Sequence, residues 1–556
     1  MKTLIKNCKV FNSDKTELYI DGEKFVDAFS ESEADEVIDL GGKMVFPGLV
    51  DMHVHLREPG YEYRETIETG CKAAAKGGFT SVCSMPNTFP VCDNAAVVNG
   101  IVKKAENAAC RVYPIGAANK GLGTKEIAEI GLMKEAGIVA VSNDGKPIAN
   151  AGIMRKVLEY ASDFDMPVLN HCEDDFLSEG AMNEGSVSTS IGIRGIPTAA
   201  EDIMISRDLI LAEYLDTPVH ICHVSTKGGV RMIRDAKARG VKVTCETCPH
   251  YFTLTDKACE NYDTNFKMHP PLRTQEHVDA IIEGLKDGTI DCIVTDHAPH
   301  HQDEKELEFS LANNGIVGFE TSFALTYTYL VKPGHITLEK LVDLMCKNPS
   351  NILSLGRGGL DIGDDADIAV FDLENEFVFD KNKMLTKGRN TPYDGYKLYG
   401  ETYLTIMGGN VTYEKVTKSL TDWSGDYLIV YENNNVAFDG SLDNLDATPN
   451  TFNVTISTGT PKTITLSDAD AAAKQFIITA AETSGEYYIQ AAGGKYIWGT
   501  SSNGISSNAT KTSAKTNTIA WANNVFTIKG KDGSKTLTFN TASNQLRFRF
   551  YKILFR

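Results

Sequence analysis

Residues 45–60, VFPGLVDMHVHLREPG, decide how most of this chain is read. The run is apolar and rich in β-branched residues, so it reads as a buried strand. His53 and His55 stand two apart on it, which sends both side chains off the same face. The next segment, RETIETGCKAAAKG (64–77), is an amphipathic helix ended by glycines, and FTSVCSMPN (79–87) is a second strand. The alternation continues through strand-like runs at 111–117, 138–143, 166–171, 217–224, 241–250 and 291–297. Helical stretches such as GIMRKVLEYASDF (152–164) and AEDIMISRDLILAEYL (200–215) fall between them. This β/α alternation predicts an α/β fold with a parallel sheet. About eight repeats within about 250 residues fit a closed (β/α)8 barrel of the TIM type. An open Rossmann sheet is the alternative, but no GxGxxG follows the first strand.

Polar residues at the strand ends carry the chemistry. His171 ends MPVLNH, His223 ends the HICH of its strand, and Asp296 ends DCIVTD. Barrel enzymes build their sites at the C-terminal ends of strands. A single histidine there is usually structural, whereas four strand ends repeating the pattern match ligation of a metal such as zinc by imidazole and carboxylate. The twelve cysteines are scattered through apolar runs and read as buried free thiols. Cys245 and Cys248 form a CxxC, but without a second pair it reads as core.

The chain has 556 residues, 42% of them hydrophobic, enough for more than one folded domain. Its formal net charge of -19 without a basic block argues against nucleic acid or an anionic membrane as partner. No apolar run approaches the ~20 residues that span a bilayer. The opening MKTLIKNCKVFNSDKTEL lacks the continuous apolar centre of an export signal, so a cytoplasmic location is expected. Every histidine and cysteine lies before position 347, whereas Trp423, Trp498 and Trp521 all lie beyond 420. The later stretch also turns rich in Ser, Thr, Asn and Gly, which places a domain boundary near Val416–Leu420.

From about Thr3 to about Glu414 the chain resembles the cyclic amidohydrolases, and among them the dihydroorotases of the bacterial type with a bridging aspartate. The motifs are FPGLVDMHVHLREPG (46–60), SMPNT (84–88), NHCEDD (170–175), ICHVST (221–226), HPPLR (269–273), TDHAPH (295–300) with Glu304-Lys305, GIVGFET (315–321) and NTPYDGYKLYGE (390–401). The resemblance implies two zinc ions. His53, His55 and Asp296 would hold the more buried one, His171 and His223 the second, and Asp144 in VSNDGKP would bridge them. Hydantoinases and allantoinases usually carry a carboxylated lysine at the bridge, but Asp144 fits the spacing and Lys146 reads as a loop residue. The activity implied is the reversible interconversion of N-carbamoyl-L-aspartate and L-dihydroorotate in de novo pyrimidine biosynthesis. A hydroxide shared by the ions would attack, with Asp296 as general acid and base. A hydantoinase- or allantoinase-type enzyme is the alternative within the superfamily, and a non-catalytic scaffold with a binding tail the alternative outside it.

Dihydroorotate differs from dihydrouracil by a carboxylate, so its site needs fixed positive charge. Arg57 supplies that charge, with Asn87 and His300 as the other carboxylate contacts the resemblance implies, and His269 and Gly315 reaching the substrate. Three departures stand out: Asn143 where a second aspartate is common, His269 where an asparagine is common, and Asn313-Asn314 where Pro-Phe is common. Residues 1–50 and 356–416 are expected to pair into a small β-sandwich flanking a barrel of residues 51–355. Residues 420–556 read as an all-β accessory module, since short aromatic runs alternate with turn residues. Three loosely similar segments (426–440, 486–500 and 535–550) suggest a β-trefoil, with a sandwich as the other arrangement. The tail resembles modules appended to secreted bacterial proteins; its Trp and Tyr beside Asn and Asp suit carbohydrate or protein binding, with an ordinary β core as the plainer reading of those aromatics. Members of the resembled family are often homodimers, and the sequence itself leaves the oligomeric state open.

Overall fold

The computed structural model describes residues 1–415 throughout. Beyond them it describes 425–431, 436–442, 444–445, 449–456, 464–465, 474–481, 486–499, 505–509, 516–522, 525–530, 536–540 and 547–551. The chain divides into two compact units, Met1–Lys415 and Val416–Arg556.

Eight strands form one parallel sheet in sequence order: β1 (Leu49–Val54), β2 (Phe79–Ser84), β3 (Arg111–Ala117), β4 (Ala140–Ser142), β5 (Val168–Asn170), β6 (Val219–Ile221), β7 (Val243–Thr247) and β8 (Cys292–Ile293). The residues just past β8 close the ring on β1. Val54 bridges His297 in parallel, and the His55 N–H donates to the His297 carbonyl at 2.9 Å. Seven helices alternate with the strands: α1 (Ile67–Lys76), α2 (Ala95–Ala105), α3 (Ile130–Ala136), α4 (Ala151–Ser162), α5 (Ala199–Leu215), α6 (Lys227–Ala238) and α7 (Gln275–Asp287). Their starts are set by side-chain caps. Thr66 accepts from the Thr69 N–H, Asn94 from Ala96 and Val97, and Thr226 from Gly229. The barrel read from the β/α alternation is the fold of this unit.

Strand residues alternate between two cores. Leu49, Val82, Val141, Val168, Ile221, Val243 and Ile293 face the helices. Met52, Cys83, Ile115, Ala140, Leu169 and Cys292 fill the interior. Because both faces are buried, the strands read as continuous apolar runs rather than as alternating ones. All twelve cysteines are buried and unpaired.

The two ends of this unit meet in a pair of small sheets. One joins Lys24–Phe25, Leu18–Asp21, Lys2–Lys6 and Glu36–Asp39; the other joins Lys9–Val10, Met44–Pro47, Ile368–Asp372, Glu401–Met407 and Asn410–Glu414. Ile5, Leu18, Ile20, Val45, Ile368, Val370, Leu404 and Ile406 share one core between them. In the second unit the described strands pair antiparallel, around Phe438, Phe476, Ile478, Tyr487 and Ile489. Trp423, and within the three expected repeats residues 432–435, 500, 535 and 541–546, lie outside the described residues. No helix among the described residues is long and apolar enough to cross a membrane.

Because the histidines and the carboxylates described below all belong to the first unit, a chain ended after Lys415 is expected to keep its activity within about twofold, as an independently folding domain should. Steady-state rates of the shortened and full chains compare them directly; a loss beyond about tenfold would show that the tail contributes to the site.

Candidate metal centre and active site

The paired strand register slips between Asp51 and Val54, so Met52 and His53 stand opposite no β2 partner. Such irregularities re-aim side chains at barrel rims. Asp51 fixes this segment to the opposite end of the sheet, accepting from the His53 N–H (3.1 Å) and from the Thr295 N–H (3.2 Å). His53 and His55 therefore both turn into the mouth. The other expected ligands leave the ladder slightly later than read: His171 follows β5 directly, His223 lies two residues past β6, and Asp296 three past β8. His223 (φ 33°) and Asp296 (φ 46°) adopt left-handed backbone, as does Arg57 (φ 63°). Each costs about 1–3 kcal/mol and persists where the surroundings over-determine it, which is characteristic of functional sites.

Asp144, in the loop after β4, divides its two oxygens between two pairs of histidines. Oδ2 lies 3.4 Å from Nε2 of both His53 and His55. Oδ1 lies 3.4 Å from His171 Nδ1 and 3.2 Å from His223 Nε2. Asp296 Oδ1 completes the first group, 3.1 Å from His55 Nε2 and 3.6 Å from His53 Nε2. Two sets of ligand atoms, His53–His55–Asp296 and Asp144–His171–His223, are thus each compact enough for one ion. Asp144 is placed to touch both.

The donor chemistry fits divalent ions. His53 gives its Nδ1–H to Glu246 Oε1 at 2.5 Å, and its Nε2 is left fully buried with no hydrogen-bond partner. His55 gives its Nδ1–H to Asn87 Oδ1 at 2.9 Å. Metal-ligating histidines characteristically pass their second N–H to such acceptors. Burial opposes charge on His53, but Asp144, Glu246 and Asp296 outweigh it and hold the imidazole well above its ordinary value. The same balance, with Asp144 and Glu173, pushes His171 up to about 10. His53 and His171 are therefore held protonated at neutral pH in metal-free protein. Metal uptake is expected to expel them, about one proton per ion, and to strengthen as pH rises. Acidification of weakly buffered metal-free protein on adding zinc measures this; uptake without proton release would contradict it.

Above the two ligand groups opens a pocket of about 270 Å3, room for a small ring. Arg57, Asn87, His269, His300 and Gly315 all line it, together with Asn313 and Asn314. Arg57 is buried; its Nε donates to the Pro299 carbonyl (3.2 Å) and its Nη2 lies 3.4 Å from His300 Nε2. Burial, with help from nearby Arg64, lowers it to about 10, so it stays charged at neutral pH. His300 Nε2 donates to the Asn314 carbonyl at 2.8 Å. Burial, then Arg57 and Arg64, push His300 down to about 4 against the pull of Glu304, so it is neutral. Gly315 (φ 149°) admits no side chain: a Cβ there would lie 2.7 Å from the Ala298 carbonyl oxygen. Asn143 does not reach the pocket. It is fully buried, and its amide donates to Asn119 Oδ1 at 2.8 Å. Lys146 is exposed.

Several further residues around the pocket have no role in the sequence reading. Arg64 lines the pocket and, with Tyr63, donates to Glu304. Lys305, nearly buried, donates to the carbonyls of Asn313 and Gly315, and Lys267 to those of Ser310 and Ala312. Together the two ammonium groups pin the 310–315 loop. Glu304 and Lys305 fall within a quoted motif, and Glu173 stands two residues past His171; those spacings were the available clue.

Known proteins bear on this geometry. The dihydro-orotase-like family matches residues 42–229. The dihydroorotase of Acetivibrio thermocellus is 57% identical over 378 residues, covering 68% of this chain and 89% of that protein. The dihydroorotase of Ruminiclostridium cellulolyticum is 56% identical over 382 residues, again covering 68% and 89%. Among solved structures, L-hydantoinase (dihydropyrimidinase) from Arthrobacter aurescens superposes with a TM-score of 0.67 at 27% identity, covering 74% of this chain and 96% of that one. Dihydropyrimidinase from Brevibacillus agri shares the fold with a TM-score of 0.65 at 24% identity, covering 74% and 95%.

Proposed function

This chain belongs to the dihydroorotase family, and on that premise we propose that it is a zinc-dependent dihydroorotase, interconverting L-dihydroorotate and N-carbamoyl-L-aspartate for pyrimidine biosynthesis. The observation that supports this reading most is Arg57, a buried cation lining a pocket that also reaches His55 and Asp296 of one ligand group and Asp144 and His171 of the other. Dihydropyrimidine and hydantoin rings carry no carboxylate to repay a buried guanidinium, whereas dihydroorotate does.

Bound at the two ligand groups, a pair of zinc ions supplies the Lewis acidity that amide hydrolysis needs at neutral pH. Arg57 and the Asn87 amide Nδ2 hold the ring carboxylate, which sets the scissile amide over Asp144 and Asp296. Asn87 serves twice, because its Oδ1 already orients His55. Asp296 accepts the proton released as water adds to the ring carbonyl, then delivers it to the departing ring nitrogen. In the closing direction the same carboxylate takes a proton from the ureido nitrogen, as microscopic reversibility requires. In metal-free protein burial opposes charge on Asp296 while His53 and His55 stabilise it and hold the carboxyl below its ordinary value, so it is ionised at neutral pH. His269 and the Gly315 backbone close the pocket around the ring.

Chelated protein is expected to lose hydrolysis of dihydroorotate and to regain it with about two zinc equivalents per chain. Hydrolysis that survives complete metal removal would overturn the assignment.

A further inference from the structure

Three of the four ligand histidines have an acceptor that fixes which ring nitrogen is free for a metal. For the first pair these are Glu246 for His53 and Asn87 for His55. In the second pair His223 Nδ1 is buried without a hydrogen-bond partner. The orientation of that pair therefore falls to His171 alone. There the nitrogens exchange roles: Nδ1 faces Asp144 Oδ1 (3.4 Å) and His223 Nε2 (2.8 Å), while the Nε2–H points to Glu173 Oε2 at 3.4 Å. Glu173 is also held from the pocket side. His269 Nε2 lies 2.5 Å from its Oε1 and 2.6 Å from its Oε2. The His171 and His269 rings lie parallel, 11° apart, with centroids separated by 5.9 Å.

We propose that Glu173 is the positioning residue of the second metal position and that, through His269, it couples ion affinity at that position to substrate in the pocket. The first half follows from tautomer control. By taking the His171 Nε2–H, Glu173 leaves the Nδ1 lone pair directed at the ion, and loss of such an outer partner typically weakens metal binding 10–100-fold. The second half follows from sharing. Glu173 bonds a ligand histidine and a pocket-wall histidine, so a substrate contact that draws His269 toward the ring changes how fully Glu173 bonds His171. Linkage then makes the effect reciprocal: substrate tightens the second ion by the factor by which that ion tightens substrate. His269 stands where an asparagine is common, and an amide there would not reproduce the imidazole's contact with both Glu173 oxygens. The inference rests on the dihydroorotase reading for the identity of the substrate, but not for the metal effect.

The test uses full-length protein, with Co2+ absorption and elemental analysis at controlled free Zn2+ as readouts, and dihydroorotate turnover measured alongside. Glu173→Gln is expected to weaken one of the two ions about 10–100-fold, leave the other unchanged, and recover turnover at saturating zinc. His269→Asn is expected to bind both ions normally when alone, to raise KM more than it lowers kcat, and to lose the tightening of the weaker ion by carbamoyl-aspartate. Wild-type affinity for both ions in Glu173→Gln would overturn the proposal, as would turnover that stays lost with two ions bound. If Glu173→Gln does not fold, a His269→Asn protein that keeps the substrate-driven tightening would overturn it on its own. Absence of dihydroorotate turnover in the wild-type control would count against the substrate assignment instead, since the ion affinities are read independently of it.

Discussion

Asp296→Asn is expected to reduce kcat for dihydroorotate by about 10³-fold or more, with at least one ion still bound. The substitution is close to isosteric, and asparagine tolerates left-handed backbone nearly as well as aspartate does. The φ of 46° at this position therefore adds little to the effect, and the loss reports the carboxylate itself. That carboxylate is lost in two roles. It faces His55 Nε2 at 3.1 Å as part of one ligand group, and it is the group placed to carry the proton between water and the ring nitrogen. Asp144, His171 and His223 remain as an intact set, so residual metal is expected in elemental analysis. Because the proton step is common to both directions, hydrolysis and ring closure should fall by the same factor. A variant with two ions bound and near-normal kcat would show that the proton is carried elsewhere.

Arg57→Met carries the second large effect. The side chain keeps an unbranched apolar stem but loses the guanidinium and its charge, and kcat/KM for dihydroorotate is expected to fall about 10²–10³-fold, the usual consequence of leaving a desolvated carboxylate unpaired. Both residues are unbranched and both would hold the left-handed backbone at this site, so the backbone cost should be similar. Neutral rings make no use of the guanidinium. Hydrolysis of dihydrouracil, whatever its rate in the parent enzyme, should change by less than about tenfold. The ratio of the two changes, rather than either alone, separates lost carboxylate recognition from a disturbed pocket. Equal losses on both substrates would place Arg57 among the structural residues.

How much of this was legible in the sequence depends on the range over which each contact acts. The alternation of strand and helix and the His53–His55 pair are local, and the barrel and the candidate ligand histidines were read from them. Asp144 could be placed only through resemblance, because a lone aspartate in a loop has no periodicity to mark it. The wiring around these residues was not legible. Arg64 meets Glu304 across 240 positions, and His53 meets Glu246 across 193. Such pairs become neighbours only when the ring of strands closes, bringing β1 within reach of β7 and the loop after β1 beside that after β8. Asn143 shows the converse. As a departure beside the bridge it drew attention in the sequence, yet its amide is spent on Asn119. His269 was read as a substrate contact, and the structure adds that it is bound to Glu173, a partner 96 positions away.

The central claim is that this metal-containing barrel selects a ring bearing a carboxylate, and parallel initial rates of zinc-loaded protein on dihydroorotate and dihydrouracil test it most directly. A kcat/KM at least about 10²-fold higher for dihydroorotate is the result expected of a buried arginine matched to a carboxylate. Equal rates, or a preference for dihydrouracil, would contradict the claim and leave Arg57 without a ligand.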